Sequence, residues 1–175
     1  MSERIAAAIL SVSAQSGVDP AIYYTIIDIE SGFRPFIVST VVAAKNREKV
    51  SRLAKDLPVS VTARRYKRGF ILTFEAGDKA TIEEMARRLM LAGIGFDAGL
   101  MQINSRHFNQ KDIRLIFDPS YNIAMGSNVL ADCVARFGPV EQAIECYNKG
   151  YRLRGRSDYF RKFASSVTRN FGEKK

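Results

Sequence analysis

The hydrophobic period of this chain changes twice along its length, and that change limits what it can fold into. Apolar residues recur every three to four positions before residue 36 and again beyond residue 96, whereas the stretch between carries β-branched, strand-like runs. A chain patterned this way reads as an α+β domain, mainly α, with a β-containing lobe set inside it. Residues 3–16 read as a first helix. Asp19-Pro20 then supplies a capping side chain and a proline at the first helical position, and Ile22, Ile26 and Ile29 follow as one apolar stripe. Gly32 is placed to end that second helix, with Pro35 just beyond it.

Inside the lobe the expected order is β-α-β-β-α. Residues 36–42 are strand-like, and 46–57 have helical spacing through Val50, Leu53 and Leu57. Residues 59–66 and 70–74 flank a turn at Lys67-Arg68-Gly69, and Thr81-Ile82-Glu83-Glu84 looks like a helix start, with Met85 and Leu89 on its buried face. Beyond the lobe, Asp118-Pro119 begins a helix with Ile123, Met125, Val129, Leu130 and Val134 as its apolar positions. Gly138-Pro139 breaks it, and residues 140–147 form another helix that ends at Gly150. A loop at 152–156 precedes a last helix, which Asp158 can cap and which docks through Tyr159, Phe163, Val167 and Phe171. At 175 residues the whole chain, 1–175, fits one domain with its own core, and 37–95 is the inserted α/β lobe.

Charge bears on the partner. The formal net charge is +9, which favours a polyanion and by itself admits nucleic acid, anionic membrane or anionic cell wall. The densest basic run is Arg64-Arg65-Tyr66-Lys67-Arg68, with a second concentration at 152–156. No helix-turn-helix, zinc or ribonucleoprotein signature accompanies either, so no nucleic-acid partner is expected. No apolar run approaches the about 18 residues that span a bilayer. The apolar stretch at 5–10 is too short and alanine-rich for a signal-peptide core. Cys133 and Cys146 fall in an expected helical hairpin, where a bridge is conceivable and two buried thiols are an equally good reading.

Glu30 is the candidate that carries chemistry. It sits in the last turn of its helix beside the buried stripe, where partial burial and the negative helix end both disfavour its charge and are expected to raise its pKa. A carboxylic acid tuned upward can deliver a proton to the leaving oxygen of a glycosidic bond as an oxocarbenium-like centre develops. Most glycosidases add a second carboxylate as base or nucleophile. Two further motifs, Gly99-Leu100-Met101-Gln102-Ile103-Asn104 and Tyr147-Asn148-Lys149-Gly150, offer amide, thioether and phenol instead. Asp28 lies on a different helix face, which makes Asp97 the one plausible second acid. His107, the sole histidine, reads as structural or surface: a metal site needs more ligands, and no Ser or Cys nucleophile motif surrounds it.

Glu30-Ser31-Gly32, the Gly99–Asn104 motif and Tyr147-Asn148-Lys149-Gly150, in that order, resemble the catalytic signature of lysozyme-like lytic transglycosylases, the goose-type or SLT class. The resemblance covers 18–36 and 96–150 well and the last helix loosely. It is closest to the small specialised members that accompany type III and type IV secretion, conjugation and type IV pilus machines, above all across 97–108 and the helix ahead of it. It implies that Glu30 is the lone acid/base, acting first on the bond between N-acetylmuramic acid and N-acetylglucosamine and then on the sugar's own 6-hydroxyl to leave a 1,6-anhydro end. It further implies that Ser31, Met101, Gln102, Asn104, Tyr147 and Asn148 bind substrate, with the Tyr147 hydroxyl near Glu30 and Asn148 supporting its loop. No cofactor and no metal are implied. The expected partners are peptidoglycan glycan strands and secretion or conjugation subunits, and the expected state is a monomer. The implied location is periplasmic or extracytoplasmic, with a signal peptide absent from this sequence. The chain departs from the family in the length and strand content of 37–80. Two other functions stay open: true hydrolysis with Asp97 holding a water, and a non-catalytic assembly factor that binds peptidoglycan.

Overall fold

Among the described residues, 1–138, 140–151 and 158–172, the computed structural model runs α1 (Glu3–Ser16), α2 (Pro20–Glu30), β1 (Ile37–Ala43), α3 (Arg47–Ser51), β2 (Val59–Tyr66), β3 (Gly69–Ala76), α4 (Lys79–Leu91), β4 (Asp97–Ala98), β5 (Ile103–Asn104), α5 (Ile113–Ile116), α6 (Pro119–Phe137), α7 (Val140–Lys149) and α8 (Tyr159–Phe171). The break expected at Pro139 and the loop expected at 152–156 lie outside the described residues. The chain divides into two units: Met1–Phe33 together with the segment from Ile123 onward, and Arg34–Asn122. No described helix is long and apolar enough to cross a membrane.

In the first unit, α2 starts as its sequence dictates. The Asp19 carboxylate accepts from the Ala21 amide at 2.8 Å, and Pro20 needs no partner for a hydrogen it lacks. The buried stripe of α2 is Tyr23, Ile26 and Ile27 rather than Ile22, Ile26 and Ile29. It is rotated by about one position, and its next member at helical spacing is Glu30 itself. Burying Ile26 and Ile27 stabilises the fold by about 2 kcal/mol each. The Tyr23 phenol pairs with Ser16 Oγ at 2.9 Å and Ser127 Oγ at 2.6 Å, so its burial leaves no polar atom unsatisfied. Cys133 of α6 and Cys146 of α7 form a disulfide, packed with Ala143 and Phe137. Along α8, Tyr159, Phe163 and Ser166 are buried, while Phe171 is 48% exposed and reaches Tyr24 edge-on. Asp158 pairs with Arg161 at 3.0 Å and makes no side-chain cap.

The second unit holds a five-stranded antiparallel sheet of order β2-β3-β1-β4-β5. One face, through Val38, Leu72, Phe74 and Ala98, is buried, with α4 contributing Ile82, Met85, Ala86 and Leu89 to this core. The helix expected over 46–57 is broken into α3 and flanking 3-10 turns, because Pro58 disfavours the helical conformation for Leu57 and Asp56 takes φ 68°. The cap of α4 is Asp78, which accepts from the Thr81 amide at 2.9 Å, so the helix begins two residues before Thr81. β4 and β5, short strands flanking the Gly99 loop, have no periodic signal of their own in the sequence.

Candidate active site

Glu30 is the last helical residue of α2, half-buried at the end of the apolar stripe. The chain then turns sharply. The Ser31 and Gly32 amides both donate to the Ile27 carbonyl at 3.0 Å, Ser31 Oγ donates to the same carbonyl at 3.2 Å, and Gly32 takes φ 58°. Only a glycine adopts that left-handed turn without cost, which is why the motif ends as it does. Ser31, 1% exposed, is a buried part of this turn.

A residue from the far end of the chain holds the glutamate. The Tyr159 hydroxyl, at the start of α8, donates to Glu30 Oε1 at 2.5 Å. Burial pushes the Tyr159 phenol well above its ordinary pKa, and the neighbouring Glu30 charge and hydrogen bond, Tyr147 and Glu145 push the same way. The phenol therefore stays protonated and remains a donor. Tyr147, half-buried on α7, is thus within electrostatic reach of Tyr159; Asn148 beside it is exposed. Glu145 accepts from the Phe160 amide at 2.8 Å and so anchors the first turn of α8, where an anion is favoured. Asp28 plays a different part: it receives Ser166 Oγ at 2.7 Å and Arg169 at 2.5 Å, tying α2 to α8.

In the second unit the Gly99 loop is built from backbone. Asn122, 1% exposed, accepts from the Met101 amide at 2.8 Å and donates to the Ala98 and Ile116 carbonyls at 3.0 and 2.8 Å. Gly99 has φ 75°, and a Cβ there would lie 2.3 Å from Asn122 Nδ2. Gln102 takes φ 47°, a strained position for a side-chain-bearing residue, and its amide donates to the Gly99 carbonyl at 2.9 Å. Met101 is fully buried. Asn104 donates to Asp97 Oδ1 at 2.7 Å and accepts from the Arg106 amide. Burial raises the Asp97 pKa; the Asn104 hydrogen bond, Arg106 and His107 oppose it. His107 is exposed.

Glu30, Ser31, Tyr147 and Asn148 thus belong to the first unit, and Met101, Gln102 and Asn104 to the second. Sequence reasoning missed three residues: Tyr159 as a partner of Glu30, Glu145 as the anchor of α8, and Asn122 as the lock of the loop. Asn122 carried one usable signal, a polar residue directly beside Ile123 on an apolar helix face.

The mainly helical chain with its small antiparallel sheet has the α+β make-up of a lysozyme-like domain. More particularly, residues 7–164 match the transglycosylase SLT domain, and the chain belongs to that family of lytic transglycosylases. It is 37% identical over 82 residues to the X polypeptide of Escherichia coli strain K12, a match covering 43% of this chain and 48% of that protein. It is 31% identical over 81 residues to the invasion protein IagB of Salmonella typhimurium strain LT2, covering 43% of this chain and 50% of the other. The chain thus spans about half the length of the curated relatives it matches. No solved structure matches it.

Proposed function

We propose that this chain is a peptidoglycan lytic transglycosylase that cleaves the β-1,4 bond between N-acetylmuramic acid and N-acetylglucosamine in the periplasm. The observation that carries this reading is the hydrogen bond from a neutral, buried Tyr159 to Glu30 at the end of α2. Glu30 gives its proton to the glycosidic oxygen as the C1–O4 bond breaks. The muramic acid O6 then bonds to C1 and returns its proton to the Glu30 carboxylate. The proton count closes without water, and one carboxyl serves as acid and then as base. Tyr159 supports both stages: its hydroxyl fixes the orientation of the carboxyl and stabilises the ionised form after the first transfer.

Substrate contacts fall, in this reading, to Ser31, Met101, Gln102, Asn104, Tyr147 and Asn148, with Ser31 and Met101 acting from buried positions as shape-setting neighbours. The lobe at 37–95 is an insert within a single transglycosylase domain. Likeness to an invasion protein supports a role in opening the wall locally for a secretion or conjugation apparatus. The test is product analysis on purified sacculi. Wild type is expected to release 1,6-anhydromuropeptides, and Glu30→Gln to lose about 10³-fold in rate while melting like wild type. Reducing ends would mean lysozyme-type hydrolysis, and wall clearance by Glu30→Gln would remove Glu30 from its role. Inactivity of the wild type would leave a binding function.

A further inference from the structure

The β-sheet of the second unit carries a row of short polar side chains that crosses every strand. The register pairs Thr62 with Thr73, Thr73 with Ser39, Ser39 with Asp97, and Asp97 with Asn104. Residues paired across an antiparallel sheet share a face. This face is opposite the one occupied by Leu72, Phe74 and Ala98, and apart from Ile37 at the start of β1 its members are not part of the buried apolar core. The row spans four inter-strand steps of about 4.8 Å, or about 19 Å in all. Its members already interact: Ser39 Oγ and Thr73 Oγ1 are 3.3 Å apart, and Asn104 donates to Asp97 at 2.7 Å. Thr62 is exposed, and Ser39, Thr73, Asp97 and Asn104 are half-exposed.

From this row we infer a glycan-binding track across the inserted sheet, starting at Asn104 and running over Ser39 and Thr73 to Thr62. The inference rests on the reading of Asn104 as a substrate residue, and it extends that contact beyond the loop. Three observations select an N-acetylated glycan strand over the anionic stem peptide. The row presents neutral hydroxyls and an amide, the groups that pair with sugar hydroxyl and acetamido groups. Its one ionisable member, Asp97, repels carboxylates. The next positions toward the hairpin tip give an apolar floor beside the polar row: Val41, 60% exposed, pairs with Ile71, and the Tyr66 ring is 37% exposed opposite Gly69. A polar line beside apolar and aromatic surface suits a sugar ring, which has polar edges and an apolar face. An ordinary solvated sheet face would carry long charged side chains along its middle; here the row carries none, and its charged neighbours on this face are Arg64, opposite Ile71, and Glu75, opposite Ser60 and paired with Arg34.

The test uses the full chain carrying Glu30→Gln, so that no turnover occurs, titrated with N-acetylglucosamine disaccharide and hexasaccharide. Adding Thr62→Val and Thr73→Val keeps β-branched side chains in both strands and deletes only the hydroxyls. Each deletion is expected to weaken hexasaccharide binding about fivefold while leaving disaccharide binding within about twofold. Amide NMR signals of 60–64 and 71–75 are expected to move with the hexasaccharide and not with a free stem tetrapeptide. Absent hexasaccharide binding, unchanged hexasaccharide affinity in the valine variant, equal loss for both sugars, or a response to the tetrapeptide instead would each overturn the track. Sacculus cleavage by the wild type is scored separately. If cleavage is absent and the hexasaccharide result holds, the track stands and the catalytic reading falls.

Discussion

The Glu30 turn and the Gly99 loop solve the same problem, holding a polar group in a defined place, by opposite means. At Glu30 the group held is a side-chain carboxyl, and its environment comes from side chains far away in sequence: Tyr159 holds the carboxyl, while Glu145 holds the helix that bears Tyr159. At Gly99 the backbone itself is shaped. One buried asparagine takes three main-chain groups, a missing Cβ leaves it room, and Gln102 is held in a left-handed conformation. The first arrangement fixes a carboxyl at a helix end; the second stores strain in a loop and balances it with buried hydrogen bonds. Substitutions in the two regions should therefore fail differently.

The sharpest contrast is between Glu30→Gln and Asn122→Ala. Glu30→Gln is expected to cost about 10³-fold in sacculus cleavage with no change in melting temperature, since the amide still accepts from Tyr159. Asn122→Ala leaves the Met101 amide and the Ala98 and Ile116 carbonyls without their partner and should destabilise the fold by about 3 to 5 kcal/mol. Denaturant titration and a cleavage assay on the same two proteins check both. Equal stability for Asn122→Ala would mean the loop is not locked by this residue, and the comparison would break.

A middle-sized effect separates the regions by redox state. The described disulfide joins α6 to α7 in the first unit, and no cysteine lies in the second. With 13 residues of sequence separation, its loss should destabilise by about 3 kcal/mol. Hydrogen exchange under reducing conditions should show protection falling in α6 and α7 and holding in β1 and β3. A uniform fall would show that the two units unfold as one.

The helices were legible because their punctuation is local. Asp19-Pro20, Gly32 and Asp118-Pro119 act on their own neighbours, so α2 and α6 begin where the sequence says. The β-α-β-β-α order of the lobe was legible for the same reason. Glu30 and the Gly99 loop stood out as motifs, yet what makes each work was hidden. Tyr159 at four-residue spacing with Phe163 looks like a core residue, and only long-range packing turns its hydroxyl toward Glu30. Whether Cys133 and Cys146 join could not be decided from spacing alone. The stripe of α2 is rotated from the expected one: periodicity alone does not choose between the adjacent faces Ile22-Ile26-Ile29 and Tyr23-Ile26-Ile27, and the Tyr23 ring is buried because Ser16 and Ser127 satisfy its hydroxyl. That small rotation matters, since it puts Glu30 on the buried line rather than beside it.

The smallest effect concerns pH and belongs to Asp97. Burial raises its pKa above the ordinary 3.8, against the pull of Asn104, Arg106 and His107. Between 3.8 and the raised value the folded chain holds a proton that the unfolded chain has released. Stability therefore falls as pH rises through that window and stays lowered above it, the reverse of a carboxylate stabilised by a cation. Asp97→Asn removes the titration and can still accept from Asn104, so the variant should be at least as stable as wild type at neutral pH and show a flatter profile on the acid side. Chemical denaturation at a series of pH values reads this directly. A steeper loss of stability in the variant as pH rises would mean that the Asp97 carboxylate is favoured by its surroundings, with Asn104, Arg106 and His107 outweighing burial.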